Sequence, residues 1–134
     1  TVRLCPRAKL KTQPWRVVMT RTGRLPEKAR LFTDASRDRT LVFKGRPWDT
    51  VLRDLGRRGV TAVLLEGGGK LLASAFRAGR VDEVAFFIAP RILGGPSPAV
   101  ATPRFFAGGI ALQGMRVSRV GRDVLLQGYV HRTG

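Results

Sequence analysis

Val63-Leu64-Leu65-Glu66-Gly67-Gly68-Gly69-Lys70-Leu71-Leu72 reads as a buried strand, one acidic residue, a glycine turn and the start of an amphipathic helix. Three apolar residues in a row suit a strand covered on both faces. The glycines stop it. They let the backbone take positive φ and let a ligand approach closely. Beyond them Leu71, Leu72, Ala75 and Phe76 recur at helical spacing, and Gly79 is placed to end the helix. Free N–H groups at such a helix start suit a phosphate. Glu66 stands at the carboxyl end of the expected strand, where ligands collect in open α/β sheets. Its carboxylate either accepts hydrogen bonds from an amino-substituted ring or a sugar hydroxyl, or merely caps a tight loop. Glycine turns are common enough that the pattern alone leaves both readings standing.

The chain has 134 residues, of which 43% are hydrophobic, enough for one domain with a core. No apolar run approaches the roughly 20 residues that span a bilayer, so no membrane partner is expected. The basic start, with Arg3, Arg7, Lys9 and Lys11, lacks the apolar stretch of a signal peptide. Cys5 and His131 are the single residues of their types, which excludes an internal disulfide and a cysteine-based zinc site. A reducing cytoplasm fits this composition. Lys and Arg total 25 against 9 Asp and Glu, a net charge of +16. Such a surface attracts polyanions: nucleic acid, acidic lipid or phosphorylated small molecules. The arginines are scattered rather than blocked, however, and no aromatic stacking platform accompanies them. An arginine-rich coding bias explains the charge equally well.

Outward from the central stretch, Trp15–Thr20, Leu31–Thr33, Arg39–Phe43 and Val81–Ile88 read as strands. Met115–Val120 and Val124–Val130 read as two more around a Gly121-Arg122-Asp123 turn. Trp48–Gly56 reads as a helix with Val51, Leu52 and Leu55 on one face. Ile92–Pro103 reads as a loop. The order implies an α/β fold: a mainly parallel sheet flanked by helices, with a C-terminal antiparallel hairpin.

Several ordered segments carry a resemblance: Leu64-Leu65-Glu66-Gly67-Gly68, Leu72 and Phe76, Gly79-Arg80-Val81-Asp82-Glu83, Ile88-Ala89-Pro90 and Leu93-Gly94-Gly95. Thr1-Val2-Arg3, Gln13-Pro14 with Arg16-Val17-Val18, and Gly121-Arg122-Asp123-Val124 extend it through most of the chain. Together they resemble the reductase domain of bacterial riboflavin biosynthesis, the C-terminal half of the bifunctional deaminase-reductase. The resemblance implies a dihydrofolate-reductase-like fold over residues 1–134 as a single, partial domain. It implies reduction of the ribose of 5-amino-6-(5-phosphoribosylamino)uracil to the ribityl chain, with NADPH as cofactor, and a homodimer. By position, Glu66 contacts substrate and Arg3 binds it, a guanidinium fork on its phosphate. Gly68, Gly69, Lys70, Leu71, Leu72, Ala73 and Ser74 form the turn and helix start around the NADPH pyrophosphate. The cofactor carries the hydride, so no side chain is expected to be catalytic in the strict sense.

Two departures from the family pattern stand out. Arg21 replaces a common serine near the cofactor, and Thr20 a common aspartate. Arg21 is either a partner of the NADPH 2′-phosphate or a solvated arginine on a basic surface. The family's domain also begins before the Leu-Thr-Val-Arg segment, so the chain is expected to start inside it. That leaves three explanations: a fragment, completion by a partner chain, or a descendant without catalysis. The alternative to the reductase is a noncatalytic basic module that reuses the fold, with nucleic acid or partner chains as its ligands.

Overall fold

A computed structural model describes residues 13–92 and 109–130. Arg3, Cys5, His131 and the Leu93-Gly94-Gly95 segment lie outside the described residues. The chain divides into two compact units, residues 1–60 and 61–134.

In the first unit, β1 (Arg16–Thr20) and β2 (Thr40–Lys44) pair in parallel, with Arg16 opposite Thr40 and Thr20 opposite Lys44. Between them come a single helical turn, α1 (Arg30–Thr33), and a 3-10 turn at Arg37–Arg39. Leu31–Thr33, expected as a strand, is therefore helical. Three residues carry no periodicity, and here a Phe32 amide bonded to the Ala29 carbonyl closes a turn instead. The connection is tied down by Arg16. Its guanidinium grips Asp34 with two bonds, of 2.6 and 2.9 Å, and also donates to the Leu31 carbonyl at 3.0 Å. The Thr40 hydroxyl donates to that same carbonyl. The hydrogen bond from Arg16 is the chief reason the Asp34 carboxyl is held below its ordinary range. Trp15 lies under the guanidinium of Arg39, 4.5 Å from the ring centroid, and faces that of Arg58 at 5.5 Å.

Helix α2 (Trp48–Arg57) buries Val51 and Leu55, one turn apart on its apolar face. It ends as its glycine predicts. Gly59 takes φ +77°, its amide bonds to the Gly56 carbonyl, and the Val60 amide reaches back to Leu55.

The second unit carries α3 (Gly69–Arg77) and an antiparallel sheet of β3 (Glu83–Ile88), β4 (Gln113–Val120) and β5 (Asp123–Tyr129) in the order β3-β5-β4. α3 closes with the same motif: Gly79 at φ +62° bonds to Phe76, and Arg80 to Ala75. β4 and β5 are joined through Gly121 at φ +62°. Gly128 of β5, opposite Val84, is buried. A side chain there would meet the Leu112 Cβ at 3.0 Å, so glycine is required for packing.

A second expectation is overturned. Residues 61–68 form no strand, and Val63 and Leu64 are 46% and 57% exposed. A strand exists through its ladder, and an apolar run names no partner. Among the described residues no ladder bond reaches this segment, so it forms no strand and its apolar side chains stay largely exposed.

Candidate functional site

The glycine run is the site's frame, but it works differently from the expectation. None of Gly67, Gly68 and Gly69 has positive φ, and Gly68 sits at φ −68°, ψ 160° as the residue preceding α3. Their value lies in the missing side chains. A Cβ on Gly67 would stand 2.8 Å from Cδ2 of Leu71, so bare backbone lets Leu71 fold over it. A Cβ on Gly68 would meet nothing within 4 Å, which leaves open space beside the first amides of the helix.

Those amides are available. The Leu71 and Leu72 amides both bond to the Gly68 carbonyl, at 2.9 and 3.3 Å. The Gly69 and Lys70 amides have no partner among the described residues, as expected one turn before the helical ladder begins. No side chain caps the helix and its first turn holds no acid, only Lys70. The partial positive charge of the helix start is thus left uncompensated and reinforced by an ammonium.

Glu66 stands two residues before Gly68, exposed, with no hydrogen bond or ion pair to any described residue. It does not cap α3. Of the other residues expected around the cofactor, Ala73 is buried and Ser74 donates its hydroxyl to the Leu71 carbonyl at 2.7 Å. These two, with the part-buried Leu71 and Leu72, form the rod that holds the turn in place. Gly68, Gly69 and Lys70 present its open end.

In the first unit, Arg21 is exposed immediately after β1. The Thr20 hydroxyl beside it accepts the Gly23 amide at 3.1 Å. An aspartate at that position can close the same turn through its carboxylate, so threonine preserves the local geometry while removing a charge. Sequence reasoning passed over Lys44, which the parallel register sets opposite Thr20. Only the pairing of the two strands reveals that juxtaposition. Among the described residues no cluster of His, Cys, Asp and Glu is suited to a metal ion, and no helix is long and apolar enough to cross a membrane.

The family model described as the RibD C-terminal domain matches residues 1–126. This chain belongs to the RibD C-terminal domain family. The riboflavin biosynthesis protein RibD of Mycobacterium tuberculosis is 35% identical over 128 residues, covering 94% of this chain and 36% of that protein. The 2,5-diamino-6-ribosylamino-4(3H)-pyrimidinone 5′-phosphate reductase of Archaeoglobus fulgidus is 29% identical over 116 residues, 69% of this chain and 53% of that one. Among solved structures, Acinetobacter baumannii RibD matches with a TM-score of 0.76 at 24% identity, over 87% of this chain and 37% of that chain. The chain thus spans little more than a third of the length of the RibD proteins it matches. The shared fold is the α/β, dihydrofolate-reductase-like one that the family resemblance implies.

Proposed function

We propose that this chain is the reductase domain of riboflavin biosynthesis, reducing the ribose of 5-amino-6-(5-phosphoribosylamino)uracil to the ribityl chain with NADPH. The observation that carries this reading is the start of α3. Glu66 and the amides of Gly69 and Lys70 stand within five residues of one another, and the described fold uses none of them internally. A family of pyrimidine reductases implies a nicotinamide cofactor, and the residues here fit a dinucleotide. The open amides of Gly68, Gly69 and Lys70 suit its pyrophosphate, with Leu71, Leu72, Ala73 and Ser74 fixing the angle at which they point. When bound, the nicotinamide supplies the hydride.

The chain's own work is binding and orientation. Glu66, unpaired among the described residues, accepts hydrogen bonds from ribose hydroxyls or from the amino groups of the pyrimidine. That holds the reacting carbon in register, and positioning of this kind accounts for much of what a hydride-transfer enzyme contributes. Arg3 grips the substrate phosphate and Arg21 the cofactor's 2′-phosphate, roles assigned through the family resemblance. Residues 1–134 belong to a single reductase domain, two chains form a homodimer, and the enzyme works in the cytoplasm.

The test is NADPH oxidation dependent on the phosphoribosylaminouracil. Glu66→Gln is expected to lower turnover about 10- to 100-fold, the loss of a charge-assisted hydrogen bond. Its thermal midpoint should stay unchanged, since Glu66 holds nothing in the described fold. Wild-type turnover in that variant would remove Glu66 from the site.

A further inference from the structure

The parallel pairing of β1 and β2 ends both strands at one level. Thr20 lies opposite Lys44, and the Gly45 amide bonds back to the Thr20 carbonyl at 2.8 Å. Everything that leaves the two strands therefore emerges at the same end of the sheet. What leaves them is basic. Arg21 and Arg24 follow β1, Lys44 closes β2 and Arg46 follows it, all four exposed. Arg16, Arg37 and Arg58 of the same unit have carboxylate partners, but none of these four has one among the described residues. Four cations gathered without a counter-ion repel one another and raise the local potential for an anion.

The turn after β1 is shaped around one of them. Gly23 takes φ +79°, with its amide on the Thr20 hydroxyl, and the Arg24 amide bonds to the Thr22 hydroxyl at 3.3 Å. The Lys44 stem lies along Gly23. A Cβ on that glycine would stand 2.8 Å from Cδ, 3.2 Å from Cε and 3.4 Å from Cγ of the lysine. The left-handed backbone calls for glycine here, and the missing side chain leaves room for the lysine stem to lie along the turn.

From this we infer that the carboxyl end of the β1–β2 pair binds a phosphate monoester, with Lys44 as its central cation and Arg21 beside it. The occupant is the 2′-phosphate of the dinucleotide cofactor, which makes Lys44 a determinant of NADPH over NADH. The inference rests on the reductase reading above. A monoester carries close to two negative charges. It suits a compact ammonium joined by a guanidinium fork, and ligands of open α/β sheets gather at this end of the strands.

The experiment titrates the protein with NADPH, NADH, 2′-AMP and 5′-AMP, for wild type, Lys44→Met, Lys44→Arg and Gly23→Ala. Lys44→Met is expected to weaken NADPH and 2′-AMP about tenfold while leaving NADH where it was, and Lys44→Arg to recover most of the loss. Gly23→Ala keeps every charge but displaces the lysine stem, so it should also lower the NADPH preference. Thermal midpoints confirm that the variants are folded. An unchanged NADPH-to-NADH ratio in Lys44→Met overturns the inference and leaves the reductase reading intact. A rise in KM for the phosphorylated substrate without a change in that ratio assigns the phosphate to substrate and overturns the cofactor role. If the wild type binds no NADPH, the reductase reading fails. Then 2′-AMP decides: Lys44-dependent binding keeps the phosphate site, and its absence removes it.

Discussion

Helices α2 and α3 are near-equal in length and finish alike, but they begin differently. Each ends on a glycine in the left-handed region with the same pair of backward hydrogen bonds. At its start α2 follows Pro47 and carries Asp49 in its first turn, so the helix supplies its own negative charge where the backbone dipole wants one. α3 follows Gly68, carries no acid in that turn and places Lys70 there instead. Inside, α2 is anchored by Val51 and Leu55, whereas α3 buries only Ala73 and Ala75. The first helix is arranged for stability. The second keeps a local electrostatic cost at its open end, which is what a site for an anion requires.

The largest expected effect tests the anchoring. Leu55→Ala should cost about 2–5 kcal/mol, read from denaturant midpoints. A loss below about 1 kcal/mol would show that α2 does not depend on its buried leucine. Next, Gly68→Asp brings a carboxylate to the open amides, at a position whose φ of −68° and empty surroundings admit any side chain. Folding stability should rise by about 0.5–1 kcal/mol, while NADPH affinity falls about 100-fold. Stability and binding moving together would break the contrast between the helices. The mirror change, Asp49→Asn, should lower stability by about 0.3–1 kcal/mol at low ionic strength and leave NADPH binding alone.

A last prediction concerns acid. The Arg16 hydrogen bond depresses the Asp34 carboxyl, so its contribution is complete above the ordinary carboxylate value of about 3.9 and is lost as pH falls through the lower folded value. Acid unfolding followed by circular dichroism should therefore show a component below about pH 4 that Asp34→Asn lacks.

The sequence made both long helices legible because their apolar residues repeat at helical spacing and a glycine stands just past each end. Strands β1, β2 and β3 and the closing hairpin were legible from short apolar runs bounded by turn residues. Leu31–Thr33 was misread because one helical turn is too short to show a period. Val63–Leu65 was misread because apolarity speaks of burial and not of a partner. The glycines at 67–69 were identified as the turn, yet the role of Gly67 in close packing rather than in positive φ depends on where Leu71 lies. Glu66 was singled out, but its freedom from internal bonds appears only in the fold. Lys44 was invisible as a neighbour of Gly23, since the register of two strands separated by a long connection is written in no local pattern.

The three-stranded sheet has two unlike borders. β4 is exposed along its whole length, but its register shifts between Gln113 and Arg116, and it carries two arginines, Arg116 near Glu83 and Arg119 bonded to the Gly121 carbonyl. A kinked, arginine-bearing margin is a poor template for another chain. Among the described residues β3, with exposed Phe87 and Ile88, pairs on one side only and in unbroken register. Growth into a fibre needs a receptive strand on both sides of a sheet, and among the described residues this sheet offers one such side.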